Sequence, residues 1–228
     1  MTDKKASLFD SISNSYDKFN HTLSLGIDRM WRKKSLRHIV GLKNAKVLDV
    51  ACGTGDLSIE LIKQGAAQVT GTDISEGMIA IGRKKIESKH FSQQIEMTIE
   101  DCSAMSFADN SFDCITCAFG VRNFTKRKEG LKEMYRVLKT GGQLMILEFA
   151  MPQMPIIKQL YNFYFKHILP HIGKLMSGDK APYEYFYHSV KQFPQRQLFM
   201  QELSDAGFTP KHFKVMTLGI AIAYYAEK

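Results

Sequence analysis

The chain has 228 residues, 44% hydrophobic and 24% charged, a globular composition that excludes wholesale disorder and suits one large domain with elaborations. Lys and Arg number 31 against 23 for Asp and Glu, a formal net charge of +8, which predicts attraction to something anionic such as phosphate, nucleic acid or a lipid surface. Four cysteines exclude a disulfide scaffold, and no run reaches the ~18 apolar residues of a membrane span. The start, Met1-Thr2-Asp3-Lys4-Lys5, carries no apolar stretch behind its charges, so no secretory leader is expected and the expected location is the cytoplasm.

Residues 7–40 read as a helical segment. Leu8, Phe9, Ile12, Tyr16 and Phe19 recur at three- and four-residue steps, and Ile27, Met30, Trp31 and Ile39 suggest a second helix. The basic residues Arg29, Arg32, Lys33, Lys34 and Arg37 on that helix predict a solvated face ahead of an anion site. The pattern then changes to strands alternating with helices. Strands are expected at Lys46–Val50, Gln68–Asp73, Ile95–Ile99, Phe112–Ala118 and Leu144–Leu147, with helices over Leu57–Ile62, after a Ser75 cap, and over Arg127–Leu138. Gly141-Gly142 is expected to turn into the fifth strand. Residues 152–206 break the rhythm as an aromatic-rich helical insertion on the substrate side. Phe208–Val215 and Ile220–Tyr225 predict an antiparallel terminal pair. The expected whole is one α/β domain over residues 1–228, a mostly parallel seven-stranded Rossmann-like sheet with helices on both faces and an antiparallel C-terminal strand.

The sharpest local signal is Val47-Leu48-Asp49-Val50-Ala51-Cys52-Gly53-Thr54-Gly55-Asp56, a strand, a glycine turn and a helix start. Gly53 and Gly55 allow close approach of a ligand to the backbone. Asp73 stands 18 residues past Gly55, at the end of the next strand, where a carboxylate accepts both hydroxyls of a ribose. A dinucleotide would want a third glycine where Ser58 stands. Asp56 in the first helical turn is a poor neighbour for pyrophosphate and suits a ligand carrying an ammonium and a sulfonium.

Further motifs narrow the reading. Glu100-Asp101-Cys102, Ser111-Phe112-Asp113-Cys114-Ile115 and Tyr135-Arg136-Val137-Leu138-Lys139-Thr140-Gly141-Gly142 follow in order. With them the sequence resembles the class I S-adenosylmethionine-dependent methyltransferases. Tyr16-Asp17-Lys18-Phe19-Asn20, Gly26-Ile27-Asp28-Arg29-Met30-Trp31-Arg32 and Phe119-Gly120-Val121-Arg122-Asn123 are similar to motifs of the menaquinone/ubiquinone C-methyltransferase family. Ala51, in place of the usual first glycine, is that family's habit.

The resemblance implies S-adenosylmethionine as cofactor, with Thr54, Asp73, Asp101 and Cys102 as contacts beside Asp49, Gly53 and Gly55 of the glycine turn. It implies a polyprenylated hydroquinone as substrate, demethylmenaquinol first and a ubiquinol precursor second. Methylating a ring carbon needs an ionised hydroxyl, hence a base or a positive partner for the phenolate. Arg122 and Asn123, after the fourth strand, are the expected catalytic pair, with Arg122 stabilising the phenolate. Tyr16 is a candidate to cover the cofactor or reach the substrate hydroxyl, and His21 and His188 are candidate bases.

Other features carry less. His167 and His171 have a metal-pair spacing, but Pro170 lies between them and no third ligand is evident, so no metal is expected. Cys114 and Cys117, three apart on a strand, should face opposite sides. The aromatic helices of 156–187 would suit a polyprenyl tail, and Lys158, Lys166 and Lys174 an anionic lipid surface at the inner face of the membrane. A homodimer is left open. Two rival readings are a methyltransferase for another phenol or amine, and a nucleic-acid-binding protein. The second is disfavoured because the basic residues are scattered and no known nucleic-acid motif is present.

Overall fold

The computed structural model describes residue 24, residues 26–169 and residues 181–228. Helix α1 (Ile27–Leu36) is followed by β1 (Lys46–Val50), α2 (Asp56–Lys63), β2 (Gln68–Asp73), α3 (Glu76–Ser88), β3 (Ile95–Ile99) and β4 (Phe112–Ala118). A 3₁₀ turn at Val121–Asn123 leads to α4 (Arg127–Val137) and β5 (Leu138–Phe149). Helix α5 (Pro155–Phe163) continues into a π-helical turn at Tyr164–Ile168. Then come α6 (Ala181–Gln192), α7 (Gln197–Asp205), β6 (Thr209–Met216) and β7 (Ala221–Glu227).

The strands form one seven-stranded sheet in the order β3-β2-β1-β4-β5-β7-β6. Strands β1 to β5 pair in parallel, and β7 runs antiparallel to both β5 and β6. The backbone winds outward from β1 to β3, returns to β4 and winds the other way. The crevice at such a reversal, beyond the carboxyl ends of the strands, is where open α/β sheets bind ligands.

Two cores flank the sheet. Trp31 and Leu36 of α1, Leu57 and Leu61 of α2, and Ile79 and Ile86 of α3 pack with Val47, Met145 and Leu147 on one face. Leu131 and Met134 of α4 and Phe199 and Leu203 of α7 pack with Leu48, Ile115 and Ile146 on the other. Burial on both faces explains why the central strands read as unbroken apolar runs. Cys114 joins the first core and Cys117 the second, on opposite faces as the spacing predicts.

The structure departs from the sequence reading at three places. Helix α1 stops at Leu36, and Ile39 is buried in the turn that follows, where Gly41 at φ 76° reverses the backbone. Leu138 belongs to β5, not to the helix before it, because it pairs with Phe112. The Gly141-Gly142 step therefore lies inside β5, across a register shift. A Cβ on Gly142 would stand 2.7 Å from the Leu138 side chain and 2.8 Å from the Lys139 carbonyl, which only glycine avoids. The basic face of α1 also divides. Arg29, Lys33, Lys34 and Arg37 are exposed, whereas Arg32 turns inward, pairs with Asp28 and lies over the Phe119 ring at 5.2 Å.

Candidate active site

The loops after β1 and β4 shape a cleft at the reversal. Ala51 (φ 52°) and Phe119 (φ 61°) both adopt left-handed backbone, which non-glycine residues seldom use and which concentrates at ligand sites. Both line the cleft. Gly53 N donates to Asp73 Oδ2 at 2.8 Å and Ser75 N to Asp73 Oδ1 at 3.0 Å. Two main-chain donors thus fix the carboxylate at the end of β2. Ser75 caps α3 by accepting from Met78 N at 3.2 Å, as the sequence predicts. Val50, Ile74, Met78 and Phe124 give the cleft apolar walls, and Glu100, Asp101, Cys102, Ser103, Asn123 and Lys126 its polar rim. Its carboxylates are Asp73, Glu100 and Asp101 against the single lysine Lys126, so an acidic cleft sits in a basic protein.

The predicted residues separate into those that line this cleft and those that do not. Gly53, Asp73, Asp101, Cys102 and Asn123 line it. Asp101 Oδ1 accepts from Ser103 N and Oγ at 2.9 and 2.8 Å. Burial pushes the Cys102 thiol up to about 12, so it stays neutral and forms wall rather than nucleophile.

Asp49 does not reach the cleft. It is fully buried within β1, with Oδ1 taken by Thr116 at 2.9 Å and Oδ2 by Ser58 at 2.6 Å, and burial raises its pKa to about 6. It braces strand to helix beneath the glycine turn. Thr54 is buried with its hydroxyl toward Lys85 Nζ at 2.8 Å, and Asp56 pairs with the same lysine at 2.9 Å. That lysine on α3 draws both side chains toward the α2–α3 contact. Gly55 caps α2 at φ 81°; its part is conformational, and it is not among the lining residues.

Arg122 is already held by the protein. The sequence reading makes it the partner of a phenolate. Its side chain is 7% exposed and Nη1 donates to Glu148 Oε1 at 2.7 Å and to the Phe119 carbonyl. Its main-chain N donates to Glu148 Oε2 at 3.1 Å. The guanidinium lies over the rings of Phe149 and Phe186 at 5.4 and 5.2 Å. The cause is topological: Glu148, next to last in β5, the strand beside β4, meets the turn that follows β4. Tyr16, His21 and His171 lie outside the described residues. His167 and His188 are exposed.

Over residues 1–228 the sequence matches the ubiE/COQ5 methyltransferase family. The protein belongs to that family. It is 46% identical over 222 residues to a demethylmenaquinone methyltransferase of Bacteroides fragilis, covering 97% of this chain and 91% of the relative. It is 42% identical over 228 residues to the ubiquinone/menaquinone biosynthesis C-methyltransferase UbiE of Geotalea daltonii, covering 99% and 97%. Among solved structures, the [4+2]-cyclase SpnF superposes with a TM-score of 0.74 at 14% identity over 100% of this chain and 96% of that one. Haemonchus contortus phosphoethanolamine N-methyltransferase 2, in complex with S-adenosyl-L-methionine, gives 0.64 at 14% over 86% and 52%. At such identities these two speak for the fold alone.

This family member is a methyltransferase that uses S-adenosylmethionine, and its cleft fits that donor. The acidic rim favours a sulfonium with an ammonium over any phosphate-bearing ligand. Gly53 N and Ser75 N hold the Asp73 carboxylate at the edge of the cleft, where a ribose would lie.

Three residues that the sequence reading did not assign stand out beside those it did. Tyr185 of α6 donates from its hydroxyl to Asn123 Oδ1 at 3.1 Å, tying the helical roof to the cleft wall. Glu148 holds the β4 turn, and Tyr161 of α5 is buried. Glu148 had a usable signal: a carboxylate directly after the apolar run Leu144–Leu147 is seldom buried without a partner. The tyrosines had none, being two among many aromatics.

Proposed function

We propose that this protein methylates a ring carbon of a polyprenylated hydroquinone, demethylmenaquinol before a ubiquinol precursor. One observation carries this beyond the relatives' names. Aromatic rings run without a break from Phe119 at the cleft to Phe149 (4.4 Å between centroids), Phe186 (4.8 Å) and Phe165 (5.4 Å). Such a wall suits a flat fused ring placed beside the methyl donor.

Bound S-adenosylmethionine would supply a sulfonium methyl, which a ring carbon takes with its own electron pair while the sulfur keeps that of the broken bond and the ring proton is released. Asp73 accepts the ribose hydroxyls, and the segment Glu100–Ser103 borders the base. Asn123 and Tyr185 fix the wall between donor and acceptor, where orientation supplies much of the rate. A phenolic hydroxyl ionises at roughly 10, so the roof must favour the anion. Burial raises the Tyr185 hydroxyl above its ordinary value, which leaves it a donor rather than a base at neutral pH. The test is incubation with labelled cofactor and matched naphthoquinones and benzoquinones, each reduced and oxidised. A methylated product is expected from the quinols alone, the naphthoquinol faster. Equal product from the oxidised rings would end the proposal, since they have no hydroxyl to ionise.

Helix α5 supports the prenyl part. Its outer side leaves Ile156, Leu160 and Phe163 exposed at 71, 62 and 58% with Lys158 among them, in a protein of charge +8. No described helix is long and apolar enough to cross a membrane. We read this side as resting on an anionic lipid surface. Co-sedimentation with phosphatidylglycerol vesicles should exceed that with phosphatidylcholine vesicles, and Ile156→Ser with Phe163→Ser should abolish the difference.

A further inference from the structure

Two buried polar atoms have no hydrogen-bond partner among the described residues, the Tyr161 hydroxyl and Arg122 Nε. Tyr161 is 5% exposed. Leaving a buried donor unmet destabilises a fold. Phenylalanine would fill the same volume without that cost, so packing alone does not account for the hydroxyl. A run of ring contacts links the two residues. The Tyr161 ring lies 4.1 Å from that of Phe165, Phe165 stacks on Phe186 at 5.4 Å, and the Arg122 guanidinium lies over Phe186 at 5.2 Å.

From these two unmet donors along one run of aromatic rings we infer that Tyr161 binds a ring oxygen of the substrate, sharing it with Arg122 Nε. The inference rests on the hydroquinone reading above and adds to it the residue that meets the hydroxyl. Glu148 takes Nη1 and the main-chain N of Arg122, which fixes the guanidinium plane and sets the direction of Nε–H. Burial raises the Tyr161 pKa, and the nearby Arg122 charge opposes that only in part. The tyrosine therefore stays protonated at neutral pH and donates. Two donors on one oxygen would use both of its lone pairs, and they hold it more strongly as it becomes anionic. A quinol hydroxyl passing to phenolate is that oxygen. Helix α5 thus has two sides with two tasks: Tyr161 faces the rings while Ile156, Leu160 and Phe163 face outward.

The experiment compares Tyr161→Phe with the full-length parent in single-turnover methyl transfer to a reduced naphthoquinol. Cofactor titration, melting curves and binding of 1-naphthol against 1-methoxynaphthalene accompany it. The expected result is a rate lower by roughly tenfold or more, the scale of a charge-assisted hydrogen bond. Cofactor affinity should be unchanged, the melting temperature unchanged or higher, and the parent's preference for naphthol over its ether lost in the variant. An unchanged rate with the preference kept would overturn the inference while leaving the hydroquinone reading intact. So would a rate that falls only in step with melting temperature and cofactor affinity, because that marks a packing role. A parent that methylates no quinol at all would instead sink the functional reading on which this rests.

Discussion

The cleft and its roof are built from different materials. Main chain makes the cleft: the left-handed backbone at Ala51, Gly53 and Gly55, and N–H groups of Gly53 and Ser75 aimed at Asp73. Side chains make the roof, namely Glu148, Arg122, Tyr185 and the rings of Phe149 and Phe186, with Tyr185 bonded down to Asn123 of the cleft wall. A main-chain site tolerates loss of any one side chain better than a roof in which one carboxylate accepts from three donors. The two should therefore fail differently when cut.

Glu148→Ala is the hardest blow to the roof. Glu148 is fully buried and accepts from Arg122 Nη1, Arg122 N and Phe149 N. Its removal strands a buried guanidinium, which costs about 3–5 kcal/mol. Urea titration should show that loss, with methyl transfer falling further than cofactor affinity. If stability barely moves, water reaches Arg122 and the roof is not closed.

Asp73→Ala is the matching cut to the cleft and reverses the signature. The ribose loses its charge-assisted acceptor, so calorimetry should find cofactor affinity lower by roughly 10²-fold. The N–H of Gly53 borders the cleft, whereas that of the fully buried Ser75 is left unmet, so stability should drop by about 1–3 kcal/mol. Unchanged affinity would put the ribose elsewhere.

The same division explains what could be read in advance. Strands Lys46–Val50, Gln68–Asp73, Ile95–Ile99 and Phe112–Ala118 were legible to the residue, the central ones as apolar runs buried on both faces and Ile95–Ile99 by its alternation with polar residues. The glycine turn and Asp73 were legible because a main-chain site is written locally, in glycines and one acid at a set distance. The roof was not. Arg122 meets Glu148 across 26 residues and Asn123 meets Tyr185 across 62, and nothing in the motif Phe119-Gly120-Val121-Arg122-Asn123 says its arginine is already paired. Asp49 and Thr54 misled for a related reason. They belong to the cleft's motif yet serve as its foundation, facing Ser58, Thr116 and Lys85.

Asp49 gives that foundation a pH signature. Its carboxyl is raised by burial to about 6, against an ordinary value near 3.9 in the unfolded state. Between about pH 4 and 6 the folded state keeps a proton that the unfolded state releases, so stability falls as pH rises through that window and the full penalty stands above it. Asp49→Asn removes the titrating group. Its stability against pH should lose this downward slope and lie of order 2 kcal/mol above the parent at pH 7. Denaturation curves from pH 4 to 7 would show it, and a parent that gains stability over that range would contradict the assignment.

Tyr185→Phe should be the mildest cut and the most informative about what joins the two parts. The hydroxyl donates one half-buried hydrogen bond to Asn123 at 3.1 Å, and its loss is worth about 1 kcal/mol, or roughly fivefold in a rate or an affinity. Two roles for Tyr185 predict different sizes. As a link, it steadies Asn123 between cofactor and quinol, so KM for the quinol should rise a few-fold, kcat should fall little and the pH–rate profile should keep its shape. As the general base, it would cost roughly 10²–10⁴-fold and take one limb of that profile with it. Burial argues for the link, since it raises the phenol's pKa and leaves almost none ionised near neutrality. A full pH–rate profile of the single variant distinguishes the two, and a large loss with a vanished limb would move the proton abstraction from the substrate's own surroundings to Tyr185 itself.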